Sequence, residues 1–324
     1  MSDARRSVLV FRELPPDQLA RLTAVHDVTA ANPRHAQERA AFEAALPRVE
    51  GMIGSSVPIT DTLLDAAPRL RVISSISAGV DNYPIASLRQ RGIVLCHTPG
   101  VLTETTADTV FALLMCTSRR VVELASLVRE GRWDRNIGED LYGWDVHGKT
   151  LGILGFGRIG QAVARRGALG FGMPVVYAGR RAVDVPELAG RARHVSQQEL
   201  LETSDFVVAT LPLNEGTRGL MGPREFAAMK AGAIFINGGR GATVQEPALL
   251  HALDHGQLRA AGLDVFSTEP LPLASPLRTH PKVTALPHIG SATHETRHAM
   301  AAMATTNLLE ALAGRPPLAV YKTD

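Results

Sequence analysis

An arginine, a carboxylate and a histidine stand in three short segments of the second half of the chain. Together they could grip an organic anion and hand it a proton. The segments are Asn237-Gly-Gly-Arg240-Gly241, Asp264-Val-Phe-Ser-Thr-Glu269-Pro270 and Pro287-His288-Ile-Gly290-Ser291. Each closes or follows an apolar run of strand type: Ala233 to Asn237, Gly262 to Phe266 and Val283 to Leu286. A histidine paired with a carboxylate is a ready proton donor near neutral pH, and Glu269 is the candidate partner of His288. The planar fork of Arg240 suits a substrate carboxylate and can polarise a neighbouring carbonyl. Reduction of a 2-oxo acid needs this set, because a proton must reach the carbonyl oxygen as a hydride reaches its carbon. Singly the residues say little, since the chain has eleven histidines and most arginines and glutamates are solvated. Their joint placement at strand ends, where open α/β sheets bind ligands, carries the reading.

A hydride source is written upstream. The strand-like run Leu151 to Leu154 leads into Gly155-Phe-Gly157-Arg158-Ile159-Gly160, with a helical pattern following through Gln161. In this fingerprint the first glycine makes a tight turn, the second lets a pyrophosphate approach the backbone, and the third lets helix pack on strand. The pyrophosphate would rest on the helix N-terminus. A second strand, Pro174 to Tyr177, ends on Gly179-Arg180-Arg181, where an NAD site would place an acidic residue for the ribose hydroxyls. Two guanidinium groups there suit a 2′-phosphate instead, which selects NADP(H) over NAD(H). Arg5-Arg6, Arg119-Arg120 and Arg165-Arg166 show that position, not the dipeptide, discriminates.

These segments need a scaffold, and 324 residues provide for about two domains. The chain is 45% apolar with a net charge of +2, which calls for neither nucleic acid nor an anionic membrane. Val8 to Phe11 is too short for a signal-peptide core, and no run reaches the ~20 apolar residues of a membrane span. Cys96 and Cys116 read as free thiols in a reducing, cytoplasmic setting. Strands are expected at Val8–Phe11, Gly51–Ile53, Val72–Ile73 and Ile93–Cys96, with helices near 17–23, 61–66 and 85–90. One long helix is expected from Thr103 to Glu130, stopped by Gly131. Strands at Leu151, Pro174, Phe206, Ala233, Gly262 and Val283 then make a six-stranded dinucleotide fold. A final helix, Ala292 to Leu312, is long enough to pack back on the first domain. The expected architecture is a doubly wound parallel Rossmann domain, residues 101–290, inserted in a smaller flavodoxin-like α/β substrate domain, residues 1–100 and 291–324.

Beyond this residue-level reading, the chain resembles the D-2-hydroxyacid dehydrogenases, in particular NADPH-dependent glyoxylate/hydroxypyruvate reductases that also act on 2-ketogluconate. The resemblance runs through Ser75 to Asn82, His97 to Asp108, Leu154 to Gly160, Ile234 to Arg240, Gly262 to Phe266 and Pro287 to Thr293. It implies that His288 is the proton donor, Glu269 its partner and Arg240 the substrate-binding arginine. It further implies that amides around Ala78 and Gly79 hold the substrate carboxylate, that Thr106 touches the cofactor and that Asp264 lies near the nicotinamide. Leu211, Pro212, Gly238, Gly239 and Gly290 complete the expected cofactor side. The resemblance implies a homodimer joined through the cofactor domains and the long helix. Where the family usually has a small residue such as alanine, this chain has Gly239.

Two other readings compete. His294-Glu-Thr-Arg-His298 fits a zinc-binding HExxH pattern, but it directly follows the active-site histidine loop and little acidic sequence remains downstream. A non-enzymatic NADP(H)-binding regulator would need the glycine loop and not the acid, whereas the chain retains Arg240, Glu269 and His288. A phosphorylated substrate, 2-ketogluconate 6-phosphate, remains open beside the unphosphorylated acids.

Overall fold

In a computed structural model, which describes residues 5–322, the chain divides into two compact units. One runs to Leu102 and resumes at Ala292; the other is Thr103–Ser291.

The first unit opens with β1 (Ser7–Val10), α1 (Pro16–Val25), β2 (Asp27–Ala30), α2 (Arg39–Ala45) and β3 (Gly51–Gly54). It continues with α3 (Asp61–Ala66), β4 (Val72–Ser75), α4 (Ile85–Gln90) and β5 (Val94–Cys96). The pairings among these strands are parallel and their order is β2-β1-β3-β4-β5, the flavodoxin-like winding expected. Strand β2 escaped the sequence reading because it is an edge strand without a fully buried residue, so no apolar run marks it.

The second unit begins with α5 (Thr103–Ser118) and α6 (Val121–Arg129), a correction to the single helix expected from 103 to 130. The break has a physical cause. Arg120 adopts a left-handed conformation, φ 55° and ψ 31°, and its guanidinium donates to the Glu123 carboxylate and to the Asp140 carbonyl at 2.6 Å each. The end of α5 is tied off at the same place, where Ser118 Oγ donates to the Trp144 carbonyl at 2.8 Å. Gly131 does end the helical stretch, at φ 69°.

Next come β6 (Leu151–Leu154), α7 (Arg158–Arg165), β7 (Val175–Ala178), β8 (Ala192–His194), α8 (Gln197–Thr203) and β9 (Phe206–Ala209). The unit closes with α9 (Pro223–Ala228), β10 (Ala233–Asn237), α10 (Glu246–Asp254), β11 (Leu258–Leu263) and β12 (Val283–Ala285). The sheet has seven parallel strands in the order β12-β11-β10-β9-β6-β7-β8, one more than expected. The extra strand, β8, is again a short, exposed edge. Strand β11 starts at Leu258 and ends at Leu263, so Asp264 to Phe266, expected within the strand, form the loop beyond its carboxyl end.

Each face of this sheet has its own apolar layer. Val110, Leu113 and Leu114 of α5 pack with Ile153, Val208 and Ile236 on one side, and Leu200, Phe226 and Leu249 pack with Val207, Phe235 and Leu263 on the other. The period-two alternation along Phe206–Ala209 and Ala233–Asn237 is therefore buried on both faces, as a parallel sheet requires. The final helix, α11 (His294–Leu312), is capped by Thr293 Oγ1, which accepts from the Thr296 amide at 3.2 Å. It belongs to the first unit, where Met300, Ala304 and Leu308 pack on Val10, Ile53 and Val72. No described helix is long and apolar enough to cross a membrane.

Candidate active site

In the second unit the order of strand addition reverses beside β6, which lies between β7 and β9. Such a reversal leaves a crevice at the carboxyl ends of the strands. The glycine loop follows β6 directly. Gly155 sits at φ 91°, where an L side chain is strained, and its carbonyl accepts from Thr210 Oγ1 at 2.7 Å. A Cβ on Gly160 would overlap the Gly155 carbonyl, so helix and strand approach this closely only with glycine there. Around Gly157 the space where a Cβ would point is open. Gly157 is also the N-cap of α7 and contributes no side-chain cap, so the first amides of the helix face that space. An open cradle at an uncapped helix N-terminus fits a pyrophosphate. Arg158, Ile159 and Gly160 form the first turn of α7 at this cradle. Gly179, Arg180 and Arg181 follow β7 and are exposed.

Leu211 joins the glycine loop to the next strand end. Its side chain lies 3.1 Å from a Cβ built on Gly155, and its carbonyl 2.7 Å from one built on Gly239. Gly239 therefore answers to crowding by Leu211: an alanine there would meet backbone. Pro212 continues that loop. Gly238 faces Val110 of α5, and a Cβ on Gly241 would overlap the Phe266 carbonyl. Arg240 is thus held between glycines that let three strand ends crowd together. Asn237, whose role the sequence did not disclose, ties this loop. Its Nδ2 donates to the Arg240 carbonyl and its Oδ1 accepts from the Gly239 amide, both at 3.1 Å. The only sequence signal was a polar residue closing the apolar run Ala233–Ile236.

The remaining groups converge from β11 and β12. Glu269 Oε1 accepts from the Phe266 amide at 3.0 Å, and its Oε2 accepts from His288 Nδ1 at 2.7 Å. A carboxylate at Nδ1 makes that nitrogen the donor and leaves Nε2 as the atom available to a substrate. Burial pushes the Glu269 carboxyl up, but the His288 bond, the Phe266 amide and the charge of nearby Arg240 outweigh it and hold it below the ordinary range. His288 itself is left-handed at φ 54°, a costly conformation for a residue with a Cβ. Asp264, 2% exposed, clamps the next two residues, accepting from the Ile289 amide at 2.7 Å and the Gly290 amide at 2.8 Å. Burial raises the Asp264 carboxyl above its ordinary range despite those two amides. Gly290 is closely packed, since a Cβ would lie 3.1 Å from Asp264 Oδ2 and 3.2 Å from Thr106 Cγ2. Thr106, in the first turns of α5, is thereby brought beside Asp264 and Gly290.

The structure thus gathers Arg240, Glu269, His288, Asp264, Thr106 and Gly290 around the same strand ends as the glycine loop. Ala78 and Gly79 belong to the other unit, in the loop after β4, where the Ala78 carbonyl lies 3.0 Å from His97 Nδ1. His294 and His298 of the HExxH pattern also lie there. His298 Nε2 is 2.9 Å from Asp17 Oδ2, and among the described residues no three His, Cys, Asp or Glu side chains converge as a metal site.

Residues 111–290 match the NAD-binding domain of the D-isomer specific 2-hydroxyacid dehydrogenases. The chain belongs to that family. It is 49% identical over 309 residues to the glyoxylate/hydroxypyruvate reductase B of Citrobacter koseri, covering 95% of each chain. The reductase of the same name from Klebsiella pneumoniae strain 342 is 50% identical over 308 residues, again with 95% of each covered. A solved Thermus thermophilus protein superposes with a TM-score of 0.89 at 42% identity, over 98% of this chain and 100% of that one. The NADPH-dependent glyoxylate/hydroxypyruvate reductase of Sinorhizobium meliloti, solved with NADP and malonate, gives 0.87 at 32% identity, over 98% and 97%. As a member of this family the chain is an oxidoreductase with an NAD(P)-binding domain.

Proposed function

We propose that this oxidoreductase uses NADPH to reduce short 2-oxo acids, glyoxylate and hydroxypyruvate first among them, to D-2-hydroxy acids. The observation that carries the reading is the 2.7 Å His288–Glu269 pair beside Arg240, at the strand ends that also bear the glycine loop. The names of the relatives agree with it. The bound reduced nicotinamide supplies the hydride. Arg240 holds the substrate carboxylate through its fork. His288 Nε2 gives its proton to the ketone oxygen, while Glu269 at Nδ1 orients the ring and stabilises the cation before transfer. Asp264, Thr106, Leu211, Pro212, Gly238, Gly239 and Gly290 line the cofactor side, and Arg180 and Arg181 receive the 2′-phosphate.

Following NADPH absorbance with glyoxylate, hydroxypyruvate and 2-keto-D-gluconate tests the reading. Turnover is expected, and His288→Gln is expected to lower kcat at least about 100-fold with NADPH affinity held. Silence of the wild type on all three acids would favour an NADP(H)-binding regulator. We further propose a homodimer, supported by the exposed Val121, Val122, Val128, Trp133 and Tyr142 beside α5 and α6. The free thiols Cys96 and Cys116 fit a reducing compartment such as the cytoplasm.

A further inference from the structure

Tyr177, the third residue of β7, is used by no step above, yet it joins everything around the paired arginines. Its ring is 4% exposed and stacks on Phe156 of the glycine loop, with centroids 3.7 Å apart and planes 11° from parallel. Its hydroxyl makes two bonds to one residue, donating to the Val183 carbonyl at 3.1 Å and accepting from the Val183 amide at 3.0 Å. The segment between these two anchors is Ala178-Gly-Arg180-Arg181-Ala182, so the chain leaves Tyr177, carries both arginines outward and is fastened back onto the same side chain. A second support comes from β8, where His194 packs its ring 5.2 Å from that of Tyr177 and places Nε2 3.3 Å from the Gly179 carbonyl. On the glycine-loop side the Gly155 amide donates to the Ala178 carbonyl at 3.0 Å.

We propose that Tyr177 is the positioning residue for cofactor choice: its hydroxyl closes the loop that presents Arg180 and Arg181 to the 2′-phosphate. Exposed arginines on a free loop lose much of their binding to the entropy of ordering it, whereas a loop already closed meets the phosphate preformed. The stack on Phe156 couples the loop to the pyrophosphate turn, so the distance between the two phosphate sites is set by one side chain. The inference rests on the NADP(H) reading of the arginine pair.

Tyr177→Phe is the test, because it keeps the ring, the stack and the volume and removes only the hydroxyl. Calorimetry would use adenosine 2′,5′-bisphosphate and adenosine 5′-monophosphate as probes, with kcat and KM measured for NADPH and NADH. The expected result is about tenfold weaker binding of the bisphosphate and a tenfold higher KM for NADPH, the factor carried by one to two ordinary hydrogen bonds. Monophosphate binding, the KM for NADH and kcat at saturating NADPH stay within about twofold. His194→Gln, at an exposed position, shifts the same ratio in the same direction by a smaller factor. Equal weakening of both probes, or an unchanged ratio, overturns the role of Tyr177. The arms separate the two claims. If Arg180→Ser with Arg181→Ser abolishes a wild-type preference for NADPH that Tyr177→Phe leaves intact, the positioning claim alone fails. If the wild type shows no preference for NADPH, the reading beneath it fails.

Discussion

Asp264→Asn separates the geometry of the histidine loop from the stability of the fold. The carboxylate takes the Ile289 amide on one oxygen and the Gly290 amide on the other, at 2.7 and 2.8 Å, and these bonds hold His288 at φ 54°. The left-handed conformation costs about 1–2 kcal/mol for a residue with a Cβ, so the clamp must exceed that to keep the ring in place. A hydrogen bond to a buried charged acceptor contributes about 1.5–3 kcal/mol. Asparagine offers one oxygen and turns an NH2 group toward the second amide, so one of the two bonds is lost and two donors face each other. A net loss of about 2 kcal/mol shifts the equilibrium between the clamped and the released loop about thirtyfold toward release, so the released form becomes populated and kcat falls by at most that factor. Stability responds differently. Burial raises the Asp264 carboxyl in the folded protein, so its ionisation costs the folded state. That penalty is absent below the ordinary value of 3.8 and complete above the raised one. The neutral amide removes it, offsetting part of the lost hydrogen bond at neutral pH. The assay is kcat at saturating NADPH and glyoxylate, with urea unfolding at pH 7 as the companion measurement. A variant indistinguishable from wild type in both kcat and urea unfolding would falsify the clamp.

Gly157→Ala and Gly160→Ala should part company. Alanine at 160 meets the Gly155 carbonyl and is expected to lower both Tm and NADPH affinity, the latter about 10–100-fold by calorimetry. Alanine at 157 points into open space, so Tm holds while dinucleotide affinity falls, and a Tm loss equal to that of Gly160→Ala would contradict the cradle. Glu269 behaves oppositely to Asp264 with pH. Its carboxyl is depressed in the folded protein, so its stabilising contribution is present above the ordinary value of 4.5 and is lost as pH falls through the depressed one. The stability difference between wild type and Glu269→Gln, read by urea unfolding, is therefore expected to shrink below about pH 4.5; a constant difference from pH 7 to pH 3 refutes the coupling. Val121→Glu with Val122→Glu is expected to convert a dimer into a monomer by light scattering. A monomeric wild type at micromolar concentration removes that proposal.

Most of the residues of the proposed site were legible before any fold was known, because their signals are local. Gly155, Gly157 and Gly160 stand out by spacing, and in the fold Gly155 takes a positive φ while Gly160 sits where a Cβ would overlap the Gly155 carbonyl. Strands β6, β9 and β10 read correctly because burial on both faces demands continuous apolar runs. Strands β2 and β8 did not, since edge strands are held by backbone hydrogen bonds that any side chain permits. The break between α5 and α6 was hidden for a related reason: Arg120 is helix-compatible by propensity and leaves the helix for partners at Glu123 and Asp140.

The sequence by itself determined the residue types at the site and their order along the chain: a dinucleotide turn, two arginines after the second strand, then arginine, glutamate and histidine at successive strand ends. Only the tertiary structure decided that these ends adjoin. Parallel pairing of β9, β10, β11 and β12 brings Leu211 against Gly239, Gly241 against Phe266 and Glu269 against His288 across long stretches of chain. It also decided which groups hold the others in place. Asn237, Asp264 and Tyr177 act through hydrogen bonds to backbone atoms, and a backbone amide or carbonyl carries no residue identity for a sequence to display. The physical reason is one of range. Propensity and motif spacing are written within a few residues, whereas a clamp exists only after loop closure has brought its two sides together.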